Sequence, residues 1–188
     1  MSTGASAPSS GVGELAAHYE AKVRAELGTA DRTAPGSDAI PWSGDPFAVV
    51  ALIKGDPGPA EVAGGTALSG PDGEAARKAL AALGFDPSAI FATVARPETG
   101  IDSELLVKRL RLQIEAVDPQ WVVALDAVAA GLLGDAYGLD GLGFGRPVDA
   151  KGRTLLALDG LEASLADDQA KERVWRQFRA LVPRRPSL

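Results

Sequence analysis

Residues 47–85 read FAVVALIKGDPGPAEVAGGTALSGPDGEAARKALAALGF, and the pattern changes twice within that stretch. Residues 47–53 are continuously apolar, the mark of a strand covered on both faces of a parallel sheet, where alternation is lost. A loop rich in glycine and proline follows. Pro71 then suits the first position of a helix, whose stripe of Ala75, Ala76, Ala79, Leu80 and Leu83 is closed by Gly84. Strand, loop and helix in this order make the unit from which α/β folds are built.

Working outward, the unit recurs. Residues 89–95 fit a short strand. Asp102 or Ser103 can cap a helix carrying Leu105, Leu106, Leu110, Ile114 and Val117, which must stop near Asp118-Pro119 because proline restricts the residue before it. Residues 121–125 form the next buried strand, with a short apolar helix over 127–133 and a stop at Gly134. Residues 155–158 are the fourth strand, and Ala170, Val174, Trp175, Phe178 and Leu181 mark a last helix that ends before Pro183. Upstream, Leu15, Ala16, Tyr19, Val23 and Leu27 predict a helix stopping at Gly28. Pro35, Pro41 and Pro46 mark the long connection that follows it. The expected fold is a three-layer α/β/α sandwich around a four-stranded parallel sheet. Residues 1–11 form a disordered lead-in, 12–182 a single domain and 183–188 a tail. In such sheets ligands bind beyond the carboxyl ends of the strands, which directs attention to the loops beginning at Lys54, Ala95, Asp126 and Asp159.

Composition narrows the chemistry. The 188 residues are 46% hydrophobic and 23% charged, ordinary globular values, and contain no cysteine. Disulfides, thiolate zinc, iron–sulfur clusters and a thiol nucleophile are thereby excluded. No bound cofactor or metal is expected. The start lacks a basic, apolar leader and no stretch reaches the ~20 apolar residues of a membrane span, so the expected location is the cytoplasm, away from membranes. A net charge of −6 argues against tight non-specific DNA binding, since such affinity comes from Lys and Arg neutralising phosphates. A weak, local basic patch stays open, on Lys108, Arg109 and Arg111 or on Arg173, Arg176, Arg179, Arg184 and Arg185. Solvated helix faces interleaved with acids are the alternative.

The loop after residue 53 carries the most chemistry. Its glycines allow backbone to approach a ligand, and Asp56 at a strand end could orient an attacking water. It has neither a phosphate-binding Gly-Lys-Ser/Thr nor a dinucleotide fingerprint. A plain turn between strand and helix is the alternative reading. The run ALIKGDPGPAEVAGGTALSGPDGEAARKALAALGF resembles the opening motif of the uracil-DNA glycosylase superfamily, above all the branch reading Gly-Glu-Ala-Pro-Gly and then Gly-x-Pro-Phe-x-Gly before a helix. PQWVVALDAVAAGLLG is similar to that family's third strand and following helix. GRTLLALDGLEASLADDQAKERVWRQFRAL is similar to the segment that holds its His-Pro-Ser. The pattern is closest to the iron–sulfur branch, whose four cysteines are missing.

The resemblance implies base flipping and cleavage of the bond between uracil and sugar, a hydrolase activity of DNA repair. It also implies that most of the side chains for that work are replaced. Asp56-Pro57 matches the Asp-Pro of the Gly-Gln-Asp-Pro-Tyr form, which makes Asp56 the candidate water-positioning acid. Against the other form, Lys54 and Gly55 stand at the Gly-Glu positions, followed by Pro57 and Gly58. Leu68 stands where the stacking phenylalanine would be. Arg96-Pro97 persists from the second motif, but the chain has no asparagine to read the base. Asp159-Gly160-Leu161 replaces the histidine motif, and the only histidine, His18, lies in the first helix. Lys54 or Arg96 could substitute as an anion stabiliser, or Lys54 could block the pocket. Asp56 and Asp159 could pair as acid and base or hold a hydrated divalent cation. Asp126, Glu162 and Asp135 are further candidates, with Asp126 also placed to cap a helix. Lys54, Gly55, Asp56, Arg96 and Asp159 are expected to meet in one crevice. Three functions follow: a divergent glycosylase with weak or lost uracil excision, a non-catalytic module on the same fold that binds protein or nucleic acid, or an unrelated α/β enzyme.

Overall fold

The computed structural model describes residues 10–181; residues 1–9 of the lead-in expected at 1–11 and the tail expected at 183–188 lie outside the described residues. Six strands, β1 (Ser43–Gly44), β2 (Val50–Lys54), β3 (Ile90–Val94), β4 (Trp121–Ala124), β5 (Val148–Ala150) and β6 (Arg153–Ala157), form one mixed sheet. Its order is β1-β3-β2-β4-β6-β5. The strands β3, β2, β4 and β6 run parallel, and β1 and β5 pair antiparallel at the two edges. The expected four-stranded parallel sheet is thus corrected to a six-stranded mixed one. Both additions are too short to leave a periodic pattern. β5 returns into β6 through Lys151-Gly152, both with positive φ, the backbone that a two-residue hairpin turn needs. β1 lies so close to β3 that a Cβ on Gly44 would strike the Ile90 carbonyl.

Seven helices complete the described chain: α1 (Ser10–Arg32), α2 (Pro59–Val62), α3 (Pro71–Ala82), α4 (Ser103–Val117), α5 (Ala127–Tyr137), α6 (Leu161–Ser164) and α7 (Asp168–Phe178), with a 3-10 turn at Ser37–Ala39. Strand residues alternate between two cores. Ala51, Ile53, Phe91, Val122, Ala124 and Leu155 meet α1, α4 and α5 on one face. Val50, Leu52, Ile90, Val94, Val123 and Leu156 meet α3, α6 and α7 on the other. Every position of β2, β3 and β4 is buried, which is why their sequences are apolar except for Lys54 and Thr93.

Several boundaries differ from expectation for local reasons. α1 runs through Gly28 to Arg32, because Leu27 and Ala30 are fully buried and hold its last turns against the sheet layer. Its first residues, Ser10 and Gly11, belong to the helix and not to a lead-in. Strand β2 starts at Val50 because the Asp45 side chain accepts from the Phe47 N–H and turns the chain there. Asp102 caps α4 through the Glu104 and Leu105 N–H groups, and α3 opens on Pro71.

Candidate functional site

The order of the strands creates the site. From β2 the chain crosses to β3 through α2 and α3 on one face; from β4 it leaves through α5 on the other. The loops after neighbouring strands β2 and β4 therefore diverge, and a crevice opens at the carboxyl edge where they part. Its volume is about 610 Å³, and it is lined from β2 by Lys54, Asp56 and Pro57, from β4 by Leu125 to Val128, and from β6 by Asp159 to Ala163, with Asp72 of α3 behind.

Lys54 ends β2 with its side chain on the α3 and α6 side, 3% exposed. Its Nζ lies 3.2 Å from Glu61 Oε2, 2.7 Å from Asp72 Oδ2 and 3.0 Å from Glu162 Oε2. Burial opposes its charge, but hydrogen bonds to Asp72 and Glu162 and the field of Asp72 and Glu61 outweigh it and push the ammonium's pKa upward. Lys54 is a fixed cation here, neither a base nor a nucleophile. Glu61, itself 3% exposed, also accepts from the Gly58 N–H at 2.9 Å and the Leu68 N–H at 2.9 Å, so one carboxylate ties α2 and the next loop to the lysine. Asp72 differs: its Oδ1 is buried without a hydrogen-bond partner. The packing is close enough that a Cβ on Gly58 would lie 2.5 Å from Lys54 Nζ and 2.6 Å from Glu162 Oε1.

The rim is built from neutralised pairs. Both oxygens of Asp56 accept from Arg96, from Nε at 2.6 Å and Nη2 at 2.7 Å. Asp159 Oδ2 accepts from Arg173 Nε at 2.8 Å, and its N–H donates to Gln177 Oε1. Asp126 caps α5 through the Ala129 N–H and accepts from the Gly55 N–H at 2.7 Å, which clamps the β2 and β4 loops together. A Cβ on Gly55 would collide with Asp126.

Lys54, Asp56, Pro57 and Asp159 therefore share one crevice, and Gly55 and Gly58 support it from beneath. Arg96 reaches the site through Asp56. Leu68 does not line the crevice: it is fully buried in the core beside α3, with φ of 56°. It fills core, which corrects its expected place among the substrate-binding residues. Asp135 is exposed on α5, away from the crevice lining, and His18 is exposed on α1. The first basic cluster also dissolves. Arg109 is 1% exposed and points inward, and Arg111 pairs with Glu115 one turn on. Among the described residues no cluster of His, Cys, Asp or Glu is arranged to hold a metal ion, and no helix is long and apolar enough to cross a membrane.

The sequence reading missed Glu61 and Asp72 and undervalued Glu162. The one available signal was Lys54 itself: a lysine ending an apolar strand has to find carboxylates, since a buried unpaired charge is prohibitively costly. Compared with known proteins, the chain matches no family model and no curated sequence.

Proposed function

We propose that this chain is a divergent member of the uracil-DNA glycosylase superfamily, working in the cytoplasm, in which uracil excision is weak or lost and the crevice serves binding. The order of strand, loop and helix around the crevice supports the kinship. The observation that carries the loss of chemistry is Lys54. An ammonium locked to three carboxylates occupies the crevice floor, where excision needs a donor free to meet a departing base anion. Removing one such donor from an oxyanion site costs about 2.7–4 kcal/mol of barrier. Asp56, the water-positioning candidate, spends both oxygens on Arg96.

An excision assay on single- and double-stranded uracil-containing DNA tests this. Little or no product is expected, and any residual activity should fall with Asp56→Asn, which keeps shape and removes charge. Efficient cleavage by the wild type, undiminished in Asp56→Asn, defeats both the lost chemistry and the choice of Asp56.

Within the binding role, a protein partner is favoured over DNA by the crevice's charge. Asp56 and Asp159 are neutralised by Arg96 and Arg173, but Asp72, Asp126 and Glu162 also line it, with Lys54 the one cation of the lining, a net negative surface that repels phosphates. Binding to DNA that weakens steeply along a salt series would reverse that preference.

A further inference from the structure

The carboxylates around Lys54 leave an imbalance that the protein's own side chains do not close. Among the described residues, Lys54 is the only cation ion-paired with Glu61, Asp72 and Glu162. With every group ionised, two negative charges stay uncompensated. Asp72 supplies a second and independent observation. It is 2% exposed, its Oδ2 is taken by Lys54, and its Oδ1 is buried with no donor. A buried acceptor without a partner carries its full desolvation penalty, so a donor arriving there is rewarded twice, by charge and by hydrogen bond.

The surroundings define what that donor is. Asp72 is among the residues that line the crevice, so the crevice is the open approach to its carboxylate. Glu162 is the outer member of the cluster, its side chain 44% exposed, and can turn aside or accept. Leu125, Val128, Leu161 and Ala163 supply apolar wall to the same crevice. A cationic head with several N–H donors on an aliphatic stem matches both parts. Guanidinium suits them better than ammonium, because it is planar, weakly hydrated and able to span two carboxylates.

We propose that the crevice is a receptor for a guanidinium group on an aliphatic stem, which enters over Glu162 and gives Asp72 Oδ1 the donor it lacks. The inference rests on the binding reading of the crevice. The same chemistry is carried by an arginine side chain of a protein partner and by a free alkylguanidine.

Calorimetric titration of the full chain at low salt, with agmatine and with a blocked peptide containing one arginine, tests it. Saturable binding of at least one probe is expected, weakened about tenfold or more in Glu162→Gln and in Asp72→Asn, the loss of one charge-assisted hydrogen bond. Binding of the peptide alone assigns the site to a partner's arginine; comparable binding of agmatine assigns it to a free ligand. No saturable heat with either probe overturns the proposal, as does affinity unchanged in both variants. If Asp72→Asn fails to fold, Glu162→Gln decides, since its side chain stands half in solvent. Excision is assayed on the same preparation. Excision together with guanidinium binding defeats the lost-chemistry reading and keeps the site, whereas neither activity defeats the site alone.

Discussion

The two faces of the sheet each bury a charged cluster, and the clusters are built on opposite principles. On the α1 and α4 face, Arg109 Nε donates to Asp31 Oδ1 at 3.0 Å and its Nη1 to the Val94 carbonyl at 2.9 Å. Gln113 donates to the same Asp31 oxygen and accepts from Thr93 Oγ1. Arg109 is ion-paired with Asp31 and lies in the field of Asp38, and the polar chain runs from β3 through α4 to α1. On the crevice face one ammonium meets three carboxylates, and one oxygen has no partner. The protonation tendencies diverge accordingly. Burial prevails over Asp31 and lowers the Arg109 pKa, whereas burial at Lys54 is outweighed by its acids and the pKa rises. A balanced cluster pins elements together, and an unbalanced one beside a crevice is poised for something further.

Removing each cation attacks this contrast hardest. Lys54→Met should destabilise by about 5 kcal/mol and Arg109→Met by about 3 kcal/mol, measured by urea unfolding, because each strands buried carboxylate charge and Lys54 strands more of it. Equal or reversed costs would show that the surplus at Lys54 is illusory. The acids sharpen the contrast further. Asp31→Asn should cost about 2 kcal/mol, since a shared, charge-assisted acceptor is lost. Asp72→Asn should cost less, about 1 kcal/mol, since it removes surplus charge while its amide oxygen can still accept from Lys54. A larger loss in Asp72→Asn would mean that its second oxygen has a partner after all.

The pH dependence follows from the raised pKa of Lys54. A cation whose folded pKa lies above its unfolded value contributes fully below the unfolded pKa, roughly 10.4 for lysine, and that contribution is lost as pH rises through the folded value. The stability difference between wild type and Lys54→Met should therefore be level from about pH 7 to pH 10 and shrink only above that. Chemical denaturation at stepped pH measures it, and a decline already near neutrality would break the assignment. The smallest effect belongs to the rim. Arg96→Ala should change stability by less than about 1 kcal/mol, because its pair with Asp56 is solvent-exposed on both sides.

Much of this architecture could be read from residue pattern. The four central strands announce themselves as apolar runs because both faces of the sheet are covered. Asp102, Asp126 and Pro71 mark helix starts because orphan N–H groups demand an acceptor or a missing donor. β1 and β5 escaped, since two or three residues at an edge carry no period. Gly28 misled because α1's buried Leu27 and Ala30 outweigh a glycine's modest helix penalty.

The site divides along the same line. Sequence alone placed Lys54, Asp56 and Asp159 at the carboxyl ends of their strands, because strand ends follow from local hydrophobicity. It also excluded thiol chemistry, because no cysteine is present. Only the tertiary structure brought Glu61, Asp72 and Glu162 from three helices onto one lysine, sent Leu68 into the core, and turned Arg109 inward from an apparently basic face. Those outcomes depend on which helix packs on which side of the sheet. Charge compensation in a buried space is decided by what is near in space, and chain separation carries no record of it.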